Sequence, residues 1–189
     1  GYNEEHAVSL NTGREIKKIL KKLKIHHKAL LVNPNTFSME INQYSRDFIC
    51  FNALHGPFGE DGQIQKILKT NGFKVTHSGV LSSKYCFNKV KSKKIIAKLK
   101  IPSPKYFEIN KKYLNTTNLA KIKKKFNKFI IKPNKSGSSF GIEIIKNNKQ
   151  FQKFIKNIDT YKKKINNHES LIFEEYIQGI ELTSAVISV

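Results

Sequence analysis

The chain contains no run of 18 apolar residues, the least a helix needs to cross a bilayer, so no membrane partner is expected. Cysteine is scarce. Cys50 and Cys86 both lie in apolar contexts and show no metal-ligand spacing, which excludes a disulfide framework and predicts buried, reduced thiols in a cytoplasmic protein. No signal peptide is visible, and the first residue is Gly1 rather than Met. No internal repeat or disordered linker interrupts the chain. Arginine is nearly missing: Arg14 and Arg46 stand among 35 Lys and Arg, against 14 Asp and Glu, for a net charge of +21. That excess invites a nucleic-acid reading. Arginine, however, is the usual bidentate reader of bases and phosphates, and the lysines are spread along the whole chain. The densest runs, Lys121-Ile122-Lys123-Lys124-Lys125 and Lys162-Lys163-Lys164, read as solvated helix faces. No nucleic-acid partner is therefore expected, and a basic nucleic-acid-binding domain is kept as the alternative from another class. The hydrophobic fraction of 39% is low for a globular domain but outside the disordered range. A length of 189 residues suits one or two domains with a real core.

What the chain does have is concentrated at His55-Gly56-Pro57-Phe58-Gly59-Glu60-Asp61-Gly62-Gln63. This stretch follows the apolar run Phe48 to Leu54, which reads as a buried strand, and precedes Ile64, Ile67 and Leu68, which have helical spacing. A histidine, glycines and two carboxylates thus sit where a strand ends and a helix begins, the ligand crevice of open α/β sheets. A helix cap by Asp61 or Glu60 would explain one acidic residue and one glycine. It would leave His55 and the other glycines unexplained.

Around that motif, Ile16, Ile19, Leu20 and Leu23 mark a helical stripe, and Ala29 to Val32 a short strand stopped by Asn33-Pro34-Asn35. Asn71-Gly72 ends the helix after the motif, and Phe73 to Thr76 is a further strand, so the first part reads as parallel α/β. The pattern changes after Val80. One long helix is predicted from about Ser82 to Lys98, then a strand at Tyr106 to Ile109, a basic helix to about Asn127, and strands at 129–133 and 140–145. Phe151, Phe154, Ile155 and Ile158 give a second helical stripe, and strands follow at 171–173 and 182–187. Hairpin-joined strands beside helices argue for a separate α+β unit.

Two further groups carry chemistry. Lys132-Pro133-Asn134-Lys135-Ser136-Gly137-Ser138-Ser139-Phe140-Gly141 exposes backbone N–H groups and hydroxyls between lysines, which suits a lid over a polyphosphate. It is not a P-loop, since no Gly-Lys-Ser/Thr opens a helix, and an ordinary Gly/Ser hairpin loop fits equally well. Glu174 and Glu175 follow an apolar strand and Glu181 lies beyond Gly179; on the residues alone a solvated strand end is the preferred reading.

Taken in order, these residues resemble the D-alanine–D-alanine ligases of the ATP-grasp superfamily. Glu5 to Gly13 is similar to the family's Glu-Arg-Glu-Val-Ser-Leu-x-Ser-Gly signature, and His55 to Gln65 to its His-Gly-x-x-Gly-Glu-Asp-Gly signature. Ser78-Gly79-Val80 and Lys89 correspond to its Gly-Ser-Gly-Val and Met-Asp-Lys segments. Lys132 to Gly141 matches Lys-Pro-x-x-x-Gly-Ser-Ser-x-Gly, and Glu174 to Thr183 matches Glu-x-x-x-x-Gly-x-Glu-x-Thr. The resemblance implies a Rossmann-like pre-ATP-grasp domain at 1–81, a central α+β ATP-grasp subdomain at 82–173, and the start of a truncated C-terminal subdomain at 174–189. It implies ATP-dependent ligation of D-alanine for peptidoglycan, with D-alanine and ATP as substrates, Mg²⁺ as cofactor and a homodimer in the full-length protein. A ligase using D-lactate as second substrate is the runner-up.

The residue roles follow from the same resemblance. Glu5 would bind the ammonium of the first D-alanine and hydrogen-bond to Ser138, Val8 would pack on its methyl group, and His55 would sit near its carboxylate or the acyl phosphate. Lys89 and Lys132 would contact the phosphates, with Ser138 and Ser139 closing over them. Glu174, Glu175 and Ile177 would line the adenine pocket, and Glu181 would hold the ribose. Catalytic duty would fall on Glu5, Ser138 and His55. The chain departs from the family pattern at His6, Lys66, His77 and Asn88, and Lys66 is expected to disturb helix packing. The metal ligands, the oxyanion arginine and a mobile loop of the family have no counterpart before Val189. The chain is therefore expected to be an inactive fragment with its metal site elsewhere.

Overall fold

Strand β4 (Phe129–Pro133) alternates strictly: Phe129, Ile131 and Pro133 are buried while Ile130 and Lys132 are half-buried. That period of two marks a central strand with one face on a core. In the computed structural model, which describes residues 3–186, β4 lies between β5 (Glu143–Ile145) and β6 (Ser170–Glu175), and β3 (Tyr106–Asn110) pairs with the other edge of β6. All three pairings are antiparallel, with Ile131 opposite Phe173 and Ile130 opposite Glu174. Helices α6 (Thr116–Phe126), α7 (Asn148–Lys156) and α8 (Ile158–Lys164) supply Leu119, Ile122, Phe151, Phe154 and Tyr161 to the core on this sheet. Asparagine side chains open two of them: Asn115 accepts from Asn118 N–H and Asn147 from Gln150 N–H.

The first part of the chain is thinner. Helix α1 (His6–Lys22) leads to the short α2 (Phe37–Glu40), then β1 (Ile49–Cys50), α3 (Gln63–Thr70) and β2 (Lys74–Val75), with β1 and β2 paired in parallel. Phe37, Ile41, Ile64, Leu68 and Phe73 form a second core. No residue of α1 is buried; its Ile16 and Leu20 border a gap of about 320 Å³ over that core.

Several expectations are corrected. The predicted helix from Ser82 to Lys98 is two helices, α4 (Val80–Phe87) and α5 (Lys89–Lys98), because Asn88 is extended and its side chain caps α5 by accepting from Lys91 N–H. The stripe at Phe151 to Ile158 likewise breaks at Asn157 between α7 and α8. Residues 29–32 are not a strand, and the strand expected over 48–54 shrinks to Ile49–Cys50, since its ladder extends only as far as β2 does. β5 starts at Glu143 instead of Phe140 because Gly137, Ser138, Ser139 and Phe140 close a turn, with Phe140 N–H donating to Gly137 O at 3.0 Å. Residues 182–186 have no regular structure, and Ile187 lies outside the described residues. Cys50 is half-buried, but Cys86 is exposed. Lys66 is also exposed, so α3 packs undisturbed. No helix among the described residues is long and apolar enough to cross a membrane.

Gly141 joins the loop to the core. Its φ is +67°, and a Cβ there would stand 2.9 Å from Pro133 Cγ and 3.1 Å from Ile165 Cγ2. Its carbonyl accepts the buried Tyr161 hydroxyl at 2.7 Å. Gly141→Ala is expected to cost about 2 kcal/mol, part left-handed backbone and part overpacking, read as a lower urea midpoint with unchanged slope.

Candidate functional site

The loop between β1 and α3 folds back against the start of α1. Asn3 fixes this contact: its amide donates to the carbonyls of His55 (3.2 Å) and Pro57 (3.0 Å), and its Oδ1 accepts from Glu5 N–H at 2.9 Å. Ser9 continues it, donating to Glu5 O at 3.1 Å and accepting from His55 N–H at 2.9 Å. The His55 ring is held by Thr12, Nε2 to Oγ1 at 2.9 Å, with Glu60 3.8 Å from Nδ1. Gly56, at φ +74°, passes so close that a Cβ would stand 2.6 Å from Glu5 Oε1. Only glycine fits there. Gly56 N–H donates to Glu60 Oε2 at 2.9 Å. Asp61, the expected helix cap, accepts from Gln63 N–H and Phe58 N–H, while Gly62 occupies the cap position itself.

Glu5 is 2% exposed. Its Oε1 accepts from Gly137 N–H at 3.2 Å, so the bond expected with Ser138 goes instead to the preceding residue. Its Oε2 is buried without a hydrogen-bond partner. A Cβ on Gly137 would lie 3.0 Å from both Glu5 oxygens and 3.2 Å from Glu60 Oε2, so two carboxylates converge on one point of the 132–141 loop. A buried carboxylate oxygen left unpaired is costly. It marks a place for a donor, preferably a cationic one.

Across the loop lies a lysine cluster. Glu174, expected at a solvated strand end, is 6% exposed and bridges two lysines: Lys93 Nζ at 2.8 Å from Oε1, and Lys132 on Oε2. Lys93 also donates to Pro104 O at 2.8 Å and lies over the Tyr106 ring. Lys89 donates to Ser136 O. Burial first, then the charge of Lys132, pulls the Lys89 ammonium down to about 8, against the pull of Glu174, Glu5 and Glu60. Its charge is therefore present below about pH 8 and lost above. Binding of a phosphate-bearing ligand here is expected to weaken as pH rises through 8, measured by calorimetric titration between pH 7 and pH 9. The sign for stability is the opposite. The unfolded lysine holds its proton to higher pH, so the penalty for burying Lys89 is complete below 8 and eases above it.

The structure thus brings Glu5, His55, Lys89, Lys132 and Glu174 around the 132–141 loop. Glu175 is half-buried at the end of β6. Val8 (41% exposed), Ser138, Ser139, Ile177 (60% exposed) and Glu181 face outward. Ser138 and Ser139 both have positive φ, a backbone that costs about 1–3 kcal/mol per residue unless offset. Sequence reasoning gave no role to Asn3, Ser9, Thr12, Lys93 and Asn134; Ser9, Thr12 and Asn134 lie inside the motifs at 5–13 and 132–141, whereas nothing in the sequence marks Asn3 or Lys93. Among the described residues no group of three or more His, Cys, Asp or Glu could hold a metal ion.

The family model described as D-ala D-ala ligase C-terminus matches residues 95–188. A protein named D-alanine–D-alanine ligase from Pelagibacter ubique strain HTCC1062 is 38% identical over 191 residues, taking in 100% of this chain and 59% of that protein. The crystal structure of D-alanine–D-alanine ligase from Bacillus anthracis aligns with a TM-score of 0.72 at 30% identity, over 95% of this chain and 56% of that one. The same ligase complexed with ATP gives 0.71 at 28% identity, over 95% and 57%. The chain spans a little over half the length of the relatives it matches.

Proposed function

The chain belongs to the D-alanine–D-alanine ligase family, and on that premise we propose that the whole protein joins two D-alanine molecules at the expense of ATP, in the cytoplasm, for cell-wall precursor synthesis. A carboxylate is a poor acyl donor. The oxygen of one D-alanine carboxylate takes the γ-phosphoryl group of ATP, releasing ADP. The amine of the second D-alanine then attacks the carbonyl carbon, passes through a tetrahedral intermediate, loses a proton and expels phosphate.

The residues divide this work by their chemistry. Glu5 holds the ammonium of the first D-alanine, with Val8 beside its methyl group. His55, steadied by Thr12, orients the carboxylate that is to be phosphorylated. Lys89 and Lys132 neutralise the phosphates, and the N–H groups and hydroxyls of Ser138 and Ser139 close over them; phosphoryl transfer depends on such positioning and charge neutralisation. Glu174 fixes Lys132 and, with Glu175 and Ile177, borders the adenine, while Glu181 takes the ribose. In this reading residues 1–81 carry the amino-acid side and 82–173 the nucleotide side, and the whole protein is a homodimer.

The observation that carries the proposal is the buried, unpartnered Glu5 oxygen beside the lysine cluster. It supplies an ammonium acceptor within one loop of phosphate-binding cations. The test is the full reading frame, purified and supplied with ATP, Mg²⁺ and D-alanine. Phosphate and D-alanyl-D-alanine should appear together. A product formed only when D-lactate is added would move the assignment to a depsipeptide ligase, and activity with L-alanine but not D-alanine would overturn it.

A further inference from the structure

Lys89 is the first residue of α5, where the helix dipole is positive and a cation is least welcome. Something must hold it there. Its ammonium reaches the carbonyl of Ser136 and, at 3.5 Å, that of Asn134. Asn134 does more than this. Its carbonyl accepts Lys89 N–H at 3.2 Å, and its side-chain Oδ1 accepts Val90 N–H at 3.0 Å. Asn88 accepts Lys91 N–H at 3.0 Å. A helix start leaves four amide N–H groups without partners. Here the first two are capped by one residue from another element, 44 and 45 positions along the chain.

Asn134 is itself fixed. It is 4% exposed, and its N–H donates to Ser170 O at 3.0 Å. Its Nδ2 faces Glu108 Oε1 and Ser170 Oγ, each at 3.3 Å. The site demands an amide. One side-chain atom must accept from Val90, and the other must donate toward a carboxylate. Aspartate would set its charge against Glu108, and alanine would leave Val90 N–H without its acceptor.

We propose that Asn134 is a positioning residue that clamps the first turn of α5 to the end of β4, so that the Lys89 ammonium and the 135–140 loop meet the nucleotide phosphates as one unit. This rests on the reading of Lys89 as a phosphate ligand. Asn134 touches no substrate in this account; it acts through Lys89.

The experiment is a double-mutant cycle on the full reading frame, with affinity for a non-hydrolysable ATP analogue as the readout. Asn134→Ala should weaken binding about tenfold, the scale of a disturbed hydrogen-bond network. Lys89→Ala should weaken it at least as much, and Asn134→Ala added to Lys89→Ala should do little more. A purely structural role would weaken both backgrounds by the same factor, and that result overturns the proposal, as does an Asn134→Ala protein with unchanged affinity. If Lys89→Ala alone binds as well as wild type, the reading of Lys89 falls and the clamp falls with it, which separates the two failures. Should Asn134→Ala not fold, Asn134→Asp carries the test. Alone it should bind weakly; combined with Glu108→Gln, which restores a donor–acceptor pair, it should return to near wild-type affinity. Failure of that rescue overturns the proposal.

Discussion

Glu174→Ala is expected to lower the unfolding free energy by about 3–5 kcal/mol, the scale of breaking a buried ion pair from one side. The loss comes less from the missing attraction than from what remains. Lys93, as buried as its partner, would keep the Pro104 carbonyl and the Tyr106 ring but no counter-ion, and Lys132 would lose its ion-pair partner. Glu174→Gln should cost less, since the amide oxygen still accepts from one lysine. Denaturant unfolding at pH 7 measures both. The effect has a direction in pH. Burial alone would raise the Glu174 carboxyl, but its hydrogen bonds to Lys132 and Lys93 outweigh that and hold it below the ordinary carboxylate range. Its contribution is therefore complete above the unfolded value, about 4.3, and disappears as pH falls through the lower folded one. The stability gap between wild type and Glu174→Ala should narrow on acidification. A gap that widens would mean the carboxyl is buried neutral.

Glu5→Gln is expected to raise KM for D-alanine about a hundredfold, the value of a charge-assisted hydrogen bond to an ammonium in a dry site. Glutamine keeps the shape and can still accept Gly137 N–H through Oε1. What it removes is the charge on the oxygen that has no partner. Affinity for ATP should move only a few fold, because Lys132 and Lys93 have Glu174 as their own counter-ion. Steady-state kinetics at saturating ATP, with a separate titration of nucleotide, resolves the two. A KM for D-alanine that stays within twofold would remove Glu5 from the amino-acid site and with it the central support of the proposed function.

The four-stranded sheet was readable because apolar runs such as Phe129-Ile130-Ile131 and Leu171-Ile172-Phe173 are buried wherever the chain places them. The break at Asn88 was not. An asparagine between Phe87 and Lys89 looks like any polar residue on a lysine-rich helix; only its spacing to Lys91 as a cap would have exposed it. Ala29 to Val32 failed as a strand because propensity cannot supply a ladder partner, and these residues instead reach the second core only in part, through Leu30 and Val32. Residue chemistry located the motif at His55 to Gln63, and the resemblance gave Glu5 a role. The resemblance also brought Glu5 to the 132–141 loop, expecting a bond to Ser138; the structure gives that bond to the Gly137 N–H, one residue earlier and 132 positions from Glu5. Glu174 was misjudged from its own neighbourhood because its lysine partners stand elsewhere in the chain, Lys93 on α5 and Lys132 on β4.

The same long spans govern the order of events during synthesis. Glu4 pairs with His168 at 2.7 Å, and α1 has no buried residue of its own. The start of the first helix therefore leaves the ribosome with two of its partners, Gly137 for Glu5 and His168 for Glu4, still untranslated, although its bonds to His55 can form much earlier. At translation rates of about 5–20 residues per second, that wait is on the order of 10–30 s. Through that interval Glu5 lacks the amide that holds it, so its surroundings are among the last parts of the molecule to take shape.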